Sequence, residues 1–377
     1  MSKNLFNTGY IHYGEPGSGH YGSTLSKQTE ELTKPVRDKV QALVEDIPFN
    51  EPVFNIGDYG AADGSSSMPF LRNILTTLKE RHGPQCQFNV IYEDRALNDF
   101  NSLFKCISGL IPGHKSYLLD MDNVFALASG VDFYKQCVPS SSMHFIMCMA
   151  AAHWLSKTPT LFKESIYFNQ YSSAEEKKAL QEQARSDWET FLLMRSKELK
   201  KGGVLLVSVS CEYFEESRFC LQNIISVLTE EWKRLRNSGT ITNEEFINTN
   251  VPFCHYNIRD LKAPLENPAS PVWISGLRLV SADVVKVEDV YYSAWKTKKD
   301  QEGIDDREGF ARAYVAAHRN WSNFTFIAGL SNSRAQDEKE EIVDCFFDTV
   351  QNRIAIMNPY TFKDDIFMNY LIISKEY

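Results

Sequence analysis

An excess of positive charge is the first thing missing from this 377-residue sequence: 49 acidic residues outnumber 40 Lys and Arg, for a net charge of -9. No basic run is denser than Lys296-Thr-Lys-Lys299, which argues against nucleic acid as a partner, since phosphate backbones call for a basic footprint. No run of 18 apolar residues occurs, and no apolar stretch follows Met1. A membrane span and a secretion signal are therefore not expected, and the reading is cytoplasmic. The eight cysteines include no C-x-x-C pair, so they are read as reduced, structural thiols. The eight histidines lack i, i+4 pairing, and no metal site is expected. Sequons at Asn320-Trp-Ser and Asn323-Phe-Thr are read as chance matches. There is no internal repeat and no low-complexity tract. The remaining composition, 43% hydrophobic and 24% charged, is that of a globular protein with a large core.

What is present alternates. "PVFNIGDYG" reads as a short buried strand and "SMPFLRNILTTLKERHG" as an amphipathic helix stopped at Gly83-Pro84. "QFNVIYED" and "NDFNSLFKCISGL" repeat the pair, and "VFALASG" follows as a third strand. "SMHFIMCMAA" is apolar throughout, as central parallel strands are. The charged stretch from Ser172 to Lys201 reads as a helix ended by Gly202-Gly203, with "VLLVSVS" as the next buried strand. This rhythm predicts an α/β fold with a doubly wound sheet. Upstream, residues 10–23 are rich in Gly, His and Tyr and read as a loop or arm, before a helical pattern broken at Pro35. Residues 211–335 lose the rhythm: helical stretches surround a loop-rich segment with four prolines, read as an inserted helical cap over a substrate site. "IFMNYLIISK" reads as a closing strand of the sheet.

"FNIGDYGAADGSSS", residues 54–67, falls at the carboxyl end of the first strand, where open parallel sheets bind ligands. Its Asp58-x-Gly60-x-x-x-Gly64 spacing is neither G-x-G-x-x-G nor a phosphate loop ending in Lys-Ser/Thr. That disfavours a nicotinamide dehydrogenase: a strand-tip carboxylate repels pyrophosphate but accepts hydrogen bonds from an ammonium. Gly60 lets a ligand approach the backbone, and Gly64 allows the turn into the helix. S-adenosylmethionine, with an α-amino group and no phosphate, suits this acid better than NAD or ATP. An acid–glycine turn is also a common structural device, so the second strand supplies a separate test. It ends at Glu93-Asp94, where an acid in such folds receives ribose hydroxyls. Together the two strand tips favour a cofactor that carries a nucleoside.

Five stretches in order, "HYGSTLSKQ", "NIGDYGAADGSSS", "YEDRALNDFNSLF", "VDFYKQCVPSSSMHFIMCMAAAHWLSKTP" and "FLLMRSKELKKGGVLLVS", resemble successive motifs of the SABATH methyltransferases. A weaker likeness continues through "NTNVPF", "FARAYVAAH" and the closing strand. The resemblance implies a Rossmann-like class I methyltransferase sheet with an N-terminal arm and an α-helical cap. By it, residues 1–30 form an arm or lid and 31–210 the core that binds S-adenosylmethionine. Residues 211–335 then form the helical cap and substrate pocket, and 336–377 a C-terminal helix and strand returning to the core sheet. The implied reaction carries methyl from S-adenosyl-L-methionine to the carboxylate of a small acid, or in some members to a xanthine ring nitrogen, leaving S-adenosyl-L-homocysteine. Family members are often homodimers, which makes a homodimer an expectation here.

Position by position, Tyr21 and Gln28 match the tyrosine and glutamine of the family's arm. Asp58 and Gly60 match the first cofactor loop, and Asp94 the acid that binds ribose. Asp132-Phe133 stand where the family has a Ser-Phe pair against adenine. Trp154 matches the tryptophan whose indole N–H, with the arm glutamine's amide, holds the substrate carboxylate. The sequence departs from the family at Thr24-Leu25, where the arm has Asn-Ser, and at Arg95, where it has leucine. Ala150 stands where members that methylate aromatic acids carry a bulky aromatic.

Gln28 and Trp154 are chemically coherent as a pair, since each offers an N–H without a charge. A carboxylate is then oriented while its oxygen stays nucleophilic, which a bidentate arginine would blunt. Taken singly, Trp154 also reads as a core aromatic and Gln28 as a solvated helix residue. His153 is a candidate for the substrate pocket, and His144, inside an apolar strand, reads as structural. The expected reaction is SN2 transfer to a small, mostly apolar carboxylic acid. Such an acid titrates near about 4 and needs no general base, so the protein supplies alignment and water exclusion. Two alternatives stay open: a nitrogen or hydroxyl acceptor served by His153 as base, and a non-catalytic protein that binds a small acid.

Overall fold

The computed structural model describes residues 13–111, 115–167, 172–213, 218–364 and 366–376. Seven strands form the main sheet: β1 Val53–Tyr59, β2 Gln87–Asp94, β3 Val124–Gly130, β4 Met143–Met149, β5 Leu199–Ser210, β6 Leu277–Val287 and β7 Ile366–Lys375. Their order across the sheet is β3-β2-β1-β4-β5-β7-β6. The first five run parallel, and β7 lies antiparallel between β5 and β6. The order reverses between β1 and β4, so their carboxyl ends open the crevice where ligands of such sheets bind. β4 is buried at all but its last residue, which is why its sequence reads as a continuous apolar run.

Among the described residues, the helices around this sheet include α1 His20–Thr33, α2 Arg37–Glu45, α3 Met68–His82, α4 Phe100–Ile107, α5 Ala174–Glu198, α6 Gln222–Asn237, α7 Val290–Glu302, α8 Arg307–Gly329 and α9 Gln336–Ile356. One face of the sheet packs Ile56, Val90 and Ile372 against Val40 of α2, Leu71 and Ile74 of α3 and Leu103 of α4. The other face packs Ile146, Leu205 and Leu371 against Trp188, Phe191 and Leu192 of α5. α5 begins at a reciprocal capping box between Ser173 and Glu176, which satisfies backbone donors its first turn would leave unpaired. A third core belongs to the cap, where Trp232 of α6 packs against Phe326 of α8 and Phe346 of α9.

Several boundaries differ from the sequence reading. Residues 211–335 are not wholly a helical cap, because they contain β6, which joins the sheet as an edge strand beside β7. Its half-exposed residues follow no clean alternation, as befits an edge strand covered unevenly on its two faces. α9, assigned by sequence to the returning C-terminal segment, buries Phe346, Phe347 and Val350 in the cap core. Gly202-Gly203 do not end a helix: α5 stops at Glu198 and both glycines lie within β5. There Met143 faces Leu199 while Phe145 already faces Val204, and the extra residues bulge out with Gly202 at a φ of 78°. The stretch 10–23 is also only partly a loop, since α1 starts at His20; residues 10–12 lie outside the described residues. Pro35 does interrupt the following helix, through a tight turn at Lys34–Val36 between α1 and α2.

Candidate active site

At the carboxyl end of β1 the chain leaves the sheet through a turn held by its neighbour. Gly60 has a left-handed φ of 74°, and the N–H groups of Gly60 and Ala61 donate to the Glu93 carbonyl at 2.9 and 3.0 Å. A Cβ on Gly60 would stand 2.3 Å from that of Ala151, so glycine is needed for this close approach. The Asp94 carboxylate accepts from the N–H groups of Ala62 and Arg95 at 2.8 and 2.7 Å. Burial nevertheless pushes its pKa up to about 6. Asp58 accepts from the Ser67 hydroxyl behind the turn. Burial, opposed by that bond and assisted by the Asp94 charge, pushes its pKa up to about 7. Two buried carboxyls so close to neutrality gain from any ammonium or hydroxyl donor that enters.

After β3 the chain turns through Asp132 and Phe133. Asp132 Oδ1 accepts from the Tyr134 N–H at 2.9 Å, and Oδ2 lies 3.5 Å from the Arg95 guanidinium. The loop rests on a fully buried ion pair, Arg195 with Glu198. Arg195 donates to both Glu198 oxygens at 2.7 and 2.9 Å and to the carbonyls of Phe133 and Lys135 at 2.7 and 2.9 Å. Glu198 also accepts from the Cys137 N–H at 2.6 Å and the Tyr59 hydroxyl at 3.0 Å. A buried pair satisfied on both sides in this way fixes the 132–137 loop against α5 and β1.

The arm closes over both turns. Gly17 and Gly19 donate their N–H groups to Asp99 Oδ2 at 2.7 Å and Ser102 Oγ at 3.1 Å, at the start of α4. The Gly22 N–H donates to Asp63 Oδ2 at 2.8 Å, where a Cβ would meet Ser65 Oγ at 1.6 Å. Gln28, only 7% exposed, bridges to the loop before α7. Its Nε2 donates to the Glu288 carbonyl at 3.0 Å and its Oε1 accepts from the Val290 N–H at 3.3 Å. Those partners fix which way the amide points, and one of its two Nε2 hydrogens suffices for Glu288. Asn320 of α8 donates to Thr24, whose carbonyl accepts from the Tyr291 hydroxyl at 3.0 Å.

These elements enclose a cavity of about 270 Å³. Its wall brings together Tyr21, Gln28, Gly60, Asp94, Asp132, Phe133, His153 and Trp154. Asp58 is the one sequence-predicted residue outside the wall; it sits a layer deeper, 4% exposed. Trp154 is half-buried, edge-on to Phe253 at 5.8 Å and Trp321 at 6.2 Å, and its carbonyl accepts from the Tyr134 hydroxyl at 2.7 Å. His153 Nδ1 accepts from the Ser210 N–H at 3.2 Å, which places the ring hydrogen on Nε2. Burial, with His255 adding, lowers its pKa to about 3. His153 is thus a neutral donor, and the role of base considered for it fails because a backbone N–H occupies its lone pair. His144 Nδ1 accepts from the Asn55 N–H at 3.0 Å while its ring stacks on Phe54, which accounts for it as structural. Among the described residues, no group of three or more His, Cys, Asp or Glu could hold a metal ion, and no helix is long and apolar enough to cross a membrane.

Comparison with known families matches residues 16–355 to the SAM dependent carboxyl methyltransferases. The chain belongs to that family. It is the SABATH group that the motifs resemble, and S-adenosylmethionine is its cofactor. The chain is 27% identical over 251 residues to the loganic acid O-methyltransferase of Catharanthus roseus and 25% over 303 residues to gibberellic acid methyltransferase 2 of Arabidopsis thaliana. It is 26% identical over 260 residues to 3,7-dimethylxanthine N-methyltransferase 2 of Coffea arabica. These alignments cover 62%, 75% and 63% of this chain, and 64%, 74% and 66% of the relatives' own lengths. A solved loganic acid methyltransferase with SAH shares the fold at a TM-score of 0.74 and 21% identity, over 98% of this chain and 99% of that one.

The residues of this chain fit the family's cofactor. The turn after β1 carries carboxylates and close-packed glycine with no lysine, a cradle suited to an ammonium and ribose hydroxyls rather than to phosphate. Two departures from the family motifs explain each other, since Arg95 and Asp132 face one another across the crevice. Sequence reasoning missed the contribution of α8. Tyr314, Ala317, His318, Trp321, Phe324, Thr325 and Ala328 all line the cavity, at the spacing of a single helix face. That spacing is visible in "AYVAAHRNWSNFTFIA", but a core stripe has the same period. Phe253, Tyr134 and Tyr291, which also line the cavity, lie on irregular segments and at a helix start, where the sequence carries no periodic signal.

Proposed function

We propose that this enzyme transfers the methyl group of S-adenosylmethionine to a carboxylate oxygen of a small, mostly apolar acid. The observation that carries this reading is the chemistry around Trp154. Among the described residues, Arg95 is the only Lys or Arg in the cavity wall, and it belongs to the cofactor end. His153, beside Trp154, has its basic nitrogen occupied. An acceptor bound beside Trp154 meets uncharged donors, and the imidazole next to it has no lone pair to spare, which suits a group already anionic, as a carboxylate is near neutral pH.

When bound, the cofactor supplies an electrophilic methyl group on a sulfonium. Asp94 would receive its ribose hydroxyls, and Asp132 would accept from the adenine amine beside the Phe133 ring. Gly60 would admit the methionine moiety, with Tyr21 to cover it and the Asp58 carboxylate to attract it from behind the turn. The Gln28 amide and the Trp154 indole N–H orient the substrate carboxylate, with the Nε2–H of His153 as a further donor. The arm, bonded to the turn after β1, to α4 and to the cap, keeps water from the reacting atoms. The xanthine N-methyltransferase among the relatives supports a second reading, a ring-nitrogen acceptor.

Incubation with labelled S-adenosylmethionine and a library of aliphatic, terpenoid and aromatic acids distinguishes the two. The expected product is a base-labile methyl ester. Gln28→Ala and Trp154→Ala should each lower kcat/KM by about 10- to 100-fold, the loss of one hydrogen bond to a charged group. Ester formation retained in both variants refutes the clamp, and a base-stable N-methyl product transfers the assignment to nitrogen.

A further inference from the structure

The cavity contains a second histidine with the opposite proton arrangement. His318 of α8 is 6% exposed and lines the wall. Its Nδ1 lies 2.8 Å from the Tyr314 carbonyl, and a carbonyl only accepts, so Nδ1 carries the hydrogen. Nε2 is then a lone pair, and among the described residues the ring makes no hydrogen bond besides the one at Nδ1. Around it the same helix face presents Ala317, Trp321, Phe324 and Ala328, where an apolar side chain would pack without a desolvation cost. The His318 ring is 5.6 Å from that of Trp321, which is 6.2 Å from that of Trp154. A single indole therefore separates this acceptor from the carboxylate clamp. His153, whose lone pair is taken by Ser210, offers a hydrogen at the clamp side. The cavity thus has a donor beside Trp154 and an acceptor beyond Trp321, each tautomer set by a backbone group.

Building on the methyl-transfer reading, we infer that the substrate acid carries a hydroxyl group, several bonds from its carboxylate, whose hydrogen His318 Nε2 receives. His318 selects among acids and takes no proton from them. A site that presents a buried acceptor discriminates against an analogue lacking the matching donor, because the acceptor is then left desolvated and unpaired.

The test uses the complex with S-adenosylhomocysteine and calorimetric titration of matched acids. Phenylpropanoic and decanoic acids, with a hydroxyl moved stepwise away from the carboxylate, are compared with their deoxy parents. At least one hydroxy acid should bind about tenfold more tightly than its parent, the worth of one buried hydrogen bond. His318→Phe should erase that ratio while leaving the parent acid's affinity unchanged or improved. His318→Gln, whose amide oxygen can accept, should restore part of it. A series in which no hydroxyl improves binding, or a preference that survives in His318→Phe, overturns the inference. Ester formation on the same acids is scored separately. A hydroxyl preference without ester refutes methyl transfer to carboxylate but not this assignment; esters formed equally from both members of every pair refute this assignment alone.

Discussion

Replacing Arg195 with methionine removes the guanidinium on which the Asp132–Cys137 loop rests. The side chain is fully buried and satisfies four oxygen acceptors, both Glu198 oxygens and the carbonyls of Phe133 and Lys135, besides the Cys137 sulfur. Methionine replaces the aliphatic stem but ends about where Nε stands, so the space of the guanidinium head is lost together with its charge. Glu198 keeps the Cys137 N–H and the Tyr59 hydroxyl but loses its counter-charge. Removing one partner of a buried ion pair costs about 3–5 kcal/mol, a large part of the roughly 5–15 kcal/mol that holds a domain folded. Urea unfolding should show that loss as a lowered midpoint at unchanged slope. The two freed carbonyls belong to the loop that carries Asp132 and Phe133, so calorimetric affinity for S-adenosylhomocysteine should fall by about tenfold, the worth of one or two hydrogen bonds. Arg195→Lys keeps a charge without the planar fork and should fall between wild type and Arg195→Met. A stability loss below about 1 kcal/mol would show that Arg195 does not carry the load assigned to it, and unchanged affinity in a folded variant would separate the ion pair from the cofactor site.

Asp58 and Asp94, raised from 3.8 to about 7 and about 6, bind protons in the folded ligand-free protein that the unfolded chain has released. Their contribution to ligand-free stability therefore falls as pH rises from 3.8 to about 7. A cofactor that pairs their ionised forms binds more tightly over the same rise, by up to about tenfold per unit for each group, and levels off above about 7; flat affinity for S-adenosylmethionine from about pH 5 to 8 in titration calorimetry would contradict this. Gly60→Ala meets a φ of 74° and a Cβ contact of 2.3 Å with Ala151. It should destabilise the fold by at least the about 1–2 kcal/mol of a left-handed alanine and weaken S-adenosylhomocysteine by displacing the turn, and wild-type affinity in the variant would refute the cradle. Arg95 and Asp132, each 31% exposed, should couple by about 0.2–1 kcal/mol in a double-mutant cycle of cofactor binding. Arg95→Leu and Asp132→Ser effects that simply add would show the two to be independent.

The sheet was legible because its strands are short apolar runs bounded by glycine, proline or charge. β4 shows this best, since both of its faces are covered. The strand-tip turns were legible as a pair: an acid–glycine turn alone is a common structural device, but a second acid at the next strand tip favours a nucleoside. β6 was missed for the converse reason: an edge strand with half-exposed residues on both faces has neither alternation nor a solid apolar core. α9 was placed with the sheet because chain order suggests proximity to β7, whereas its phenylalanines belong to the cap. In the site, residues carried by local motifs (Tyr21, Gly60, Asp94, Trp154) converge on one cavity. The cavity wall on α8 could not be told from an ordinary core face, because a pocket-lining stripe and a packing stripe have the same period of 3.6 residues.

Departures from a motif follow the same logic. In sequence, Arg95 and Asp132 are two unrelated departures from the motifs the chain resembles, 37 positions apart. In space the two charges stand 3.5 Å apart, so each supplies what the other needs. Thr24, which stands in for an arm asparagine, is likewise taken up by Asn320, 296 positions away. Linear motifs record what lies within a few residues, while compensation works through contact between segments that meet only in the fold. His318 illustrates the consequence for specificity. Its tautomer is set by Tyr314 one turn earlier, yet the specificity proposed for it depends on its placement near Trp321, whose ring neighbours that of Trp154. The cofactor end of the site is therefore readable from neighbouring letters, whereas the acceptor end becomes readable only when the arm, β4 and α8 are brought together.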